Sequence, residues 1–212
     1  MKIKTNYNKI IPGYYDLIYK KKKGIQSAWH HVKFNFVKHE IDKKLVHLDI
    51  GCGPGTFVGL LEKTKSIGID ISSNQINYAK KNYRNKNKFF YTYKKKIPLK
   101  NKSIDFISLV ELIEHLDNKE LSLLLNECKR VLKKDGKILF TTPNYFSFWP
   151  VLEIILNFIS PFSYKHQHIN KFNKKRLFKF LNSQNFNVIK TGSFILIAPF
   201  LAPLSFKLSL FF

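Results

Sequence analysis

Two acids bracket a loop with glycine at every second position. Residues 48 to 55 read Leu48-Asp49-Ile50-Gly51-Cys52-Gly53-Pro54-Gly55, and twenty-one positions after Asp49 comes Asp70, in Ile69-Asp70-Ile71. Glycine has no Cβ, so such a loop turns sharply and lets a ligand lie against its backbone. An acid at the end of the following strand can accept both hydroxyls of a ribose. The residue types and spacing therefore describe a site for an adenosine-containing ligand. A dinucleotide fingerprint requires a glycine three residues after the second one, and Thr56 occupies that place; the lysine of a P-loop is missing as well. A carboxylate at Asp49, two residues before the first glycine, is awkward for a pyrophosphate and suited to a cation. S-adenosylmethionine has that chemistry, with an α-ammonium, a sulfonium and no phosphate.

If S-adenosylmethionine is the ligand, a second group of residues could act on whatever receives its methyl group. Methyl transfer is an in-line displacement from a good leaving group, so the protein must align the acceptor and, for a hydroxyl, remove its proton. Histidine is the usual base near neutral pH. Glu111-x-x-Glu114-His115 follows an apolar strand and reads as a helical segment with all three side chains on one face. Such a set has three open roles: holding a divalent cation that orients the acceptor, lining the cofactor pocket, or base catalysis by His115. His166 and His168 alternate in an extended stretch and so point the same way. They either contact the acceptor or anchor a loop. His30-His31, beside Trp29, and Tyr14-Tyr15 would line an N-terminal lid or face solvent from an amphipathic helix.

The elements that must position these residues alternate between strand and helix. A helix over 25–41 carries Ile25, Ala28, Trp29, Val32, Phe36 and Val37 on one face. Strands follow at 45–50, 67–70, 89–92 and 104–109. Ser72 or Ser73 caps a helix that buries Ile76, Ala79 and Tyr83. A helix over 119–133 presents Leu121, Leu124, Leu125, Cys128, Val131 and Leu132, and Lys133, Lys134 and Gly136 supply its end. A fifth strand spans 137–142, Asn173 caps a helix running to Ser183, and Phe186 to Thr191 forms a sixth strand. This order predicts an α/β fold, a doubly wound, mostly parallel Rossmann-like sheet with helices on both faces. Its ligand belongs at the carboxyl ends of strands 1, 2 and 4. The chain divides into a helical lid over 1–44, a core over 45–192 with an apolar insertion at 145–164, and an apolar tail over 193–212.

Composition adds a partner. The 212 residues suffice for one sizeable core, and 44% hydrophobic with 24% charged residues is ordinary for a globular chain. The net charge is +23, from 37 basic and 14 acidic residues. Such a charge draws a protein to polyanions, although abundant Lys, Asn, Ile, Phe and Tyr also reflect A+T-rich codons. The segments 145–164 and 194–212 are aromatic and apolar, but Glu153, Pro150, Pro161, Pro199, Pro203 and Lys207 make them poor membrane spans. Both suit insertion at an interface, or a pocket lid and a core-packed tail. Two cysteines, Cys52 and Cys128, are too few for a disulfide framework, and the first residues lack an apolar run. The expected location is cytoplasmic, peripheral on an anionic membrane surface.

At this point the chain resembles the class I S-adenosylmethionine-dependent methyltransferases of the type-11 subgroup. The resemblance rests on Leu48 to Gly55; Gly68-Ile69-Asp70-Ile71-Ser72; Ile97-Pro98-Leu99 before Ser103-Ile104-Asp105-Phe106; Glu111 to His115; Arg130 to Gly136; and Thr142-Pro143-Asn144. It implies that Gly51, Gly53 and Gly55 cover the methionine part of S-adenosylmethionine, that Asp70 holds the ribose, and that Ile71 packs on adenine. The family's acid after strand 3 is replaced at Tyr93, whose hydroxyl or main chain would meet the adenine amine. A seventh strand is short or absent. The Glu111-x-x-Glu114-His115 segment is similar to that of ubiquinone-pathway O-methyltransferases, which implies a divalent metal on Glu111, Glu114 and His115. The expected activity is methylation of a small-molecule or lipid-like acceptor, on oxygen. The alternatives are a nucleic-acid methyltransferase, which lacks an Asp/Asn-Pro-Pro-Tyr run or a cysteine nucleophile at Ser108-Leu109-Val110-Glu111, and an inactive cofactor-binding protein.

Overall fold

The computed structural model describes residues 10–147, 149–150, 153–154, 168–193 and 205–210. Strands β1 (Val46–Ile50), β2 (Lys65–Asp70), β3 (Lys88–Thr92), β4 (Ile104–Val110) and β5 (Leu132–Thr141) form one sheet in the order β3-β2-β1-β4-β5. All four pairings are parallel. Helices α1 (Tyr14–Lys21), α2 (Ile25–His39), α3 (Thr56–Leu60), α4 (Ser73–Tyr83), α5 (Asn118–Val131), α6 (Lys174–Ser183) and the short α7 (Phe206–Ser209), with one 3-10 turn at Ile113–His115, complete the described elements. The chain moves outward from β1 through β2 to β3, then returns to β4 on the other side of β1. That reversal opens a crevice at the carboxyl ends of the central strands.

The two sheet faces differ in chemistry. Side chains alternate along a strand, so Leu48, Ile50, Ile67, Ile69, Ile107 and Leu109 share one apolar cluster with Leu121, Leu125 and Cys128 of α5. The opposite face meets α2 and α3 through Val37, Ile41, Phe57, Leu61 and Phe106. That second face also carries His47, Asp49, Ser66 and Ser108, all buried. A parallel sheet covered on both sides normally reads as continuous apolar runs. Four buried polar side chains in the central strands are a departure that calls for a function.

Local signals end the helices where the residues permit. Ser72 caps α4, its Oγ accepting from the Gln75 N–H at 3.4 Å. Asp117 and Glu120 form a reciprocal capping box at α5, with bonds of 2.9 and 3.2 Å. Asn173 caps α6 by accepting from the Arg176 N–H at 2.8 Å.

Four expectations need correction. The α5 helix ends at Val131, and Lys133, Lys134 and Gly136 lie inside β5. Gly136 sits at the register shift between Ile104 and Phe106, where a Cβ would stand 2.6 Å from Leu132 Cδ2 and 3.2 Å from the Asp105 carbonyl oxygen. It is there for close approach, not to cap a helix. No sixth strand forms at 186–191 among the described residues. Phe186 and Val188 pack on the core without a ladder, because alternating apolar residues report burial on one side and not strand pairing. The N-terminal region is a helix pair, and α1 was not foreseen. His31, 7% exposed, is buried in it and does not face solvent. Most of 145–164 and 194–212 lies outside the described residues.

Candidate functional site

The glycine loop and the second acid are physically joined. Parallel register sets Asp49 beside Gly68 and Ile50 beside Ile69, so β1 and β2 finish side by side. The N–H groups of Gly51 and Cys52 donate to the Ile69 carbonyl at 2.8 and 3.1 Å. The Gly53 N–H donates to Asp70 Oδ2 at 2.9 Å, and the Ser72 N–H donates to Asp70 Oδ1 at 2.8 Å. Burial raises the Asp70 carboxyl, and its main-chain donors offset part of that rise. A carboxylate offers about four lone-pair directions, so some remain for a ligand.

Gly53 and Gly55 of the loop meet different constraints. Gly53 has φ +52°, and a Cβ built on it would meet no protein atom within 4 Å. The room above it is open, as a ligand-facing position requires. Gly55 has φ +80°, and a Cβ there would stand 2.8 Å from both Ala79 Cβ and Phe90 Cε1. Its role is to let α3 and α4 close on the sheet. Ile71, directly after Asp70, is 52% exposed, an apolar surface without cover beside the ligand end of β2. Tyr93 is half-buried against the main core, and its hydroxyl donates to the Lys95 carbonyl at 3.5 Å.

The acidic segment after β4 is not a helix carrying three aligned ligands. Only Ile113–His115 forms a short turn. Glu111 lies ahead of it in the left-handed region with φ +53°. A non-glycine residue there is strained, and such strain concentrates at functional sites. The strain is held by Thr141, whose Oγ1 donates to Glu111 Oε1 at 2.8 Å and whose carbonyl accepts from the Glu111 N–H at 3.1 Å. The segment does not align Glu111, Glu114 and His115 on one helical face, and His168 joins two of them instead. Ligand atoms of Glu114, His115 and His168 lie within 4.8 Å of one another. His168 arrives from the segment before α6, which is tied down where the Ile169 and Asn170 N–H groups donate to the Glu114 carbonyl at 2.8 and 2.9 Å. His166 lies outside the described residues.

Electrostatics separates these groups. Glu114 is 1% exposed, and burial, with Glu111 nearby, holds its carboxyl well above the ordinary range. Burial, His115 and Lys171 push His168 down to about 3, so it is neutral at pH 7. Its Nδ1 lies 2.6 Å from the Tyr145 hydroxyl and 3.1 Å from Glu153 Oε1. The ring of His115 lies 5.0 Å from that of His168. Trp149 stands 6.0 Å from His168 and 4.7 Å from Trp29 of α2. This side of the crevice is thus walled by aromatic rings from three distant parts of the chain.

Three residues escaped the sequence reading. Lys33 of α2 is 5% exposed and makes no hydrogen bond or ion pair among the described residues, while Glu111, Glu114 and Asp49 all act on its charge. Burial lowers the Lys33 ammonium and the three carboxylates offset part of that, so one cation stands on the acidic side of the site. Asp16 of α1 is fully buried and accepts from Thr56 Oγ1 at 2.9 Å, Tyr78 OH at 2.8 Å, Tyr83 OH and Lys20 Nζ at 2.7 Å. Ser108 donates to Asp49 Oδ1 at 2.5 Å. A charged residue on the apolar side of an amphipathic helix was the signal available for Asp16 and Lys33. Ser108 carried none, because a serine in a strand is ordinary.

Comparison with known proteins gives one consistent result. The family description "Methyltransferase domain" matches residues 25–191. An uncharacterised protein of Methanocaldococcus jannaschii is 33% identical over 156 residues, covering 74% of this chain and 57% of that one. A SAM-dependent methyltransferase from Archaeoglobus fulgidus is similar in structure, with TM-score 0.62 at 24% identity over 84% of this chain and 76% of that one. Magnesium protoporphyrin IX methyltransferase from Synechocystis PCC 6803, solved with bound SAH, gives TM-score 0.64 at 17% identity over 84% and 85%. These structural likenesses carry the Rossmann-like fold. The chain spans 57% and 58% of the first two curated relatives it matches, under two thirds of their length.

Proposed function

Because the chain belongs to the methyltransferase-domain family, we propose that it moves the methyl group of S-adenosylmethionine to a small-molecule or lipid-like acceptor, on oxygen. The observation that carries the cofactor is the bond from the Gly53 N–H to Asp70 Oδ2, which fuses the glycine loop and the ribose acid into one site. Asp70 takes the ribose hydroxyls, and Ile71 packs on adenine with Tyr93 at its edge. Gly51, Gly53 and Gly55 carry the loop beneath the methionine part. Asp49 faces its cationic end and Lys33 its carboxylate, so a zwitterion finds both charges answered.

In the reaction the acceptor oxygen attacks the methyl carbon, the C–S bond breaks, and sulfur keeps the electron pair. The acceptor proton must leave as the new bond forms. His115 is the proposed base. His168, neutral and held by Tyr145 and Glu153, is proposed to orient the acceptor within the aromatic wall of Trp29 and Trp149. His166 stays a proposed acceptor contact through its spacing from His168. The aromatic wall supports an acceptor with a flat or apolar part. The charge of +23 and the two apolar segments support its delivery at an anionic membrane surface.

A second reading concerns a divalent metal. The convergence of Glu114, His115 and His168 within 4.8 Å would suit three ligands of one ion, with the acceptor oxygen as a fourth. Activity measured before and after chelation, with Mg²⁺ or Zn²⁺ restored, separates the two: activity unaffected by chelation supports His115 as a metal-free base. The overall reading is tested by transfer of labelled methyl from the cofactor into a lipid extract, a polar-metabolite pool and RNA in parallel. Label in lipid or metabolite is expected; label confined to RNA overturns the acceptor class.

A further inference from the structure

The buried polar side chains on the second face of the sheet form one directed chain that ends at the cofactor. Ser108 Oγ donates its single proton to Asp49 Oδ1 at 2.5 Å. Toward His47 Nε2, 2.9 Å away, it can therefore only accept. Nε2 must then carry the hydrogen, which leaves Nδ1 as an acceptor for the Ser66 hydroxyl at 3.3 Å. His47, Ser66 and Ser108 are fully buried and Asp49 is 3% exposed. The three contacts join β2, β1 and β4, the strands whose carboxyl ends make the site. Apolar residues would pack this face at least as well, and buried polar groups in a core are costly unless each is satisfied. Here each is satisfied: Ser66 Oγ has His47 Nδ1 at 3.3 Å and the Thr64 carbonyl at 3.5 Å within reach, and the donors of His47 and Ser108 point toward Asp49.

We propose that Ser108 and His47 are positioning residues that hold Asp49 as a carboxylate aimed at the cationic end of the cofactor, and so make the protein prefer S-adenosylmethionine to S-adenosylhomocysteine. This rests on the cofactor reading above. The two nucleosides differ by a methyl group and one positive charge on sulfur. A fixed negative charge beside the methionine subsite attracts the first more than the second, and releases the product once the charge has gone. The groups facing Asp49 are Ser108 of β4, Asp70 at the end of β2, Lys33 of α2, and the neutral thiol of Cys52 in the loop. Burial and Asp70 push its carboxyl up to about 7, while Ser108 and Lys33 hold it down. Ionised Asp49 binds the cation better, so preference for the sulfonium rises with pH through this range. Loss of the Ser108 hydroxyl moves the rise to higher pH.

The experiment is calorimetry of S-adenosylmethionine and S-adenosylhomocysteine with the full chain between pH 6 and 8.5, on wild type, Ser108→Ala, His47→Gln and Asp49→Asn. The ligands' own ammonium groups titrate alike for every variant, so differences between variants isolate Asp49. Wild type is expected to prefer the sulfonium about tenfold at pH 8, a charge-assisted contact's worth. Ser108→Ala should lose most of that preference at pH 7.5 and regain part of it at pH 8.5. Asp49→Asn should show little preference at any pH. His47→Gln, whose amide can still donate to Ser108, should fall between wild type and Ser108→Ala. It also serves as the readout if Ser108→Ala does not fold. A folded Ser108→Ala with the wild-type ratio and pH profile overturns the proposal. Failure of wild type to bind either nucleoside overturns the cofactor reading instead.

Discussion

At Asp70 two main-chain donors already hold the carboxylate, so its orientation is set before any ligand arrives. Preorganised acceptors lose little freedom on binding, and two charge-assisted bonds to a ribose should contribute strongly. Asp70→Ala is expected to weaken S-adenosylhomocysteine binding by about 3 kcal/mol, roughly two orders of magnitude in Kd. Calorimetry checks this, and an unchanged affinity would sink the ribose assignment. The glycines give a paired prediction. Gly53→Ala puts a methyl into the open space over the loop, with a left-handed backbone cost of roughly 1–2 kcal/mol. It should fold and bind the nucleoside poorly. Gly55→Ala drives its methyl against Ala79 and Phe90 and should lower the melting temperature first.

Among the elements, α1 is held to α2 by aromatic contacts, Tyr19 stacking on His31 at 3.9 Å, and to α3 and α4 by polar ones. Asp16 is its anchor, and the Gly13 N–H adds a bond to Gln75 Oε1 of α4 at 3.1 Å. Thr56, one of Asp16's donors, immediately follows Gly55, so the helix is fastened to the end of the cofactor loop. Burial alone would raise the Asp16 carboxyl, but Lys20, Tyr83, Tyr78 and Thr56 together bring it below the ordinary value of 3.8. The sign follows from linkage. A carboxyl lowered on folding adds stability that is complete above its unfolded value and is lost as pH falls through the folded one. Asp16→Asn should therefore be less stable than wild type at pH 6, with the gap narrowing as pH falls below about 4. Urea midpoints at pH 6 and pH 3 measure this. Asp16→Ala should cost roughly 3 kcal/mol at neutral pH, because three hydroxyls lose their acceptor.

Across the whole molecule, an excess of 23 positive charges surrounds a site whose own groups are mostly acidic. Asp49, Asp70, Glu111 and Glu114 face inward, while most described lysines, Lys33 and Lys88 apart, populate the exterior. Long-range attraction then serves a polyanionic surface and the local field serves a cation. No described helix is long and apolar enough to cross a membrane. Phe206 of α7 meets the His31 ring edge-on at 5.2 Å, so at least that part of the tail rests on α2. The chain is expected to float with anionic liposomes at low salt, less so without residues 194–212, and to dissociate as salt screens the charge. Absence from the liposome fraction at low salt would reject surface delivery of the acceptor.

The local sequence determined what local physics controls. Glycine spacing set the loop, the absent glycine at Thr56 removed the dinucleotide reading, and Ser72, Asn173 and the apolar periodicity of α5 set their helices. Each depends on residues within a turn or two of one another, so it is readable in one dimension. What only the tertiary structure decided involves partners far apart in sequence. His168 comes to lie beside Glu114 and His115 because the Ile169 and Asn170 N–H groups bond the Glu114 carbonyl, while Glu111 is held by Thr141. Lys33 and Asp16 become buried charges only once two N-terminal helices close on the sheet. His47, Ser108 and Asp49 form a chain only because β4 lies beside β1, a pairing between residues about sixty positions apart. The cofactor class was thus written in the motif, whereas the groups that tune it were assembled by strand order, which no local pattern encodes.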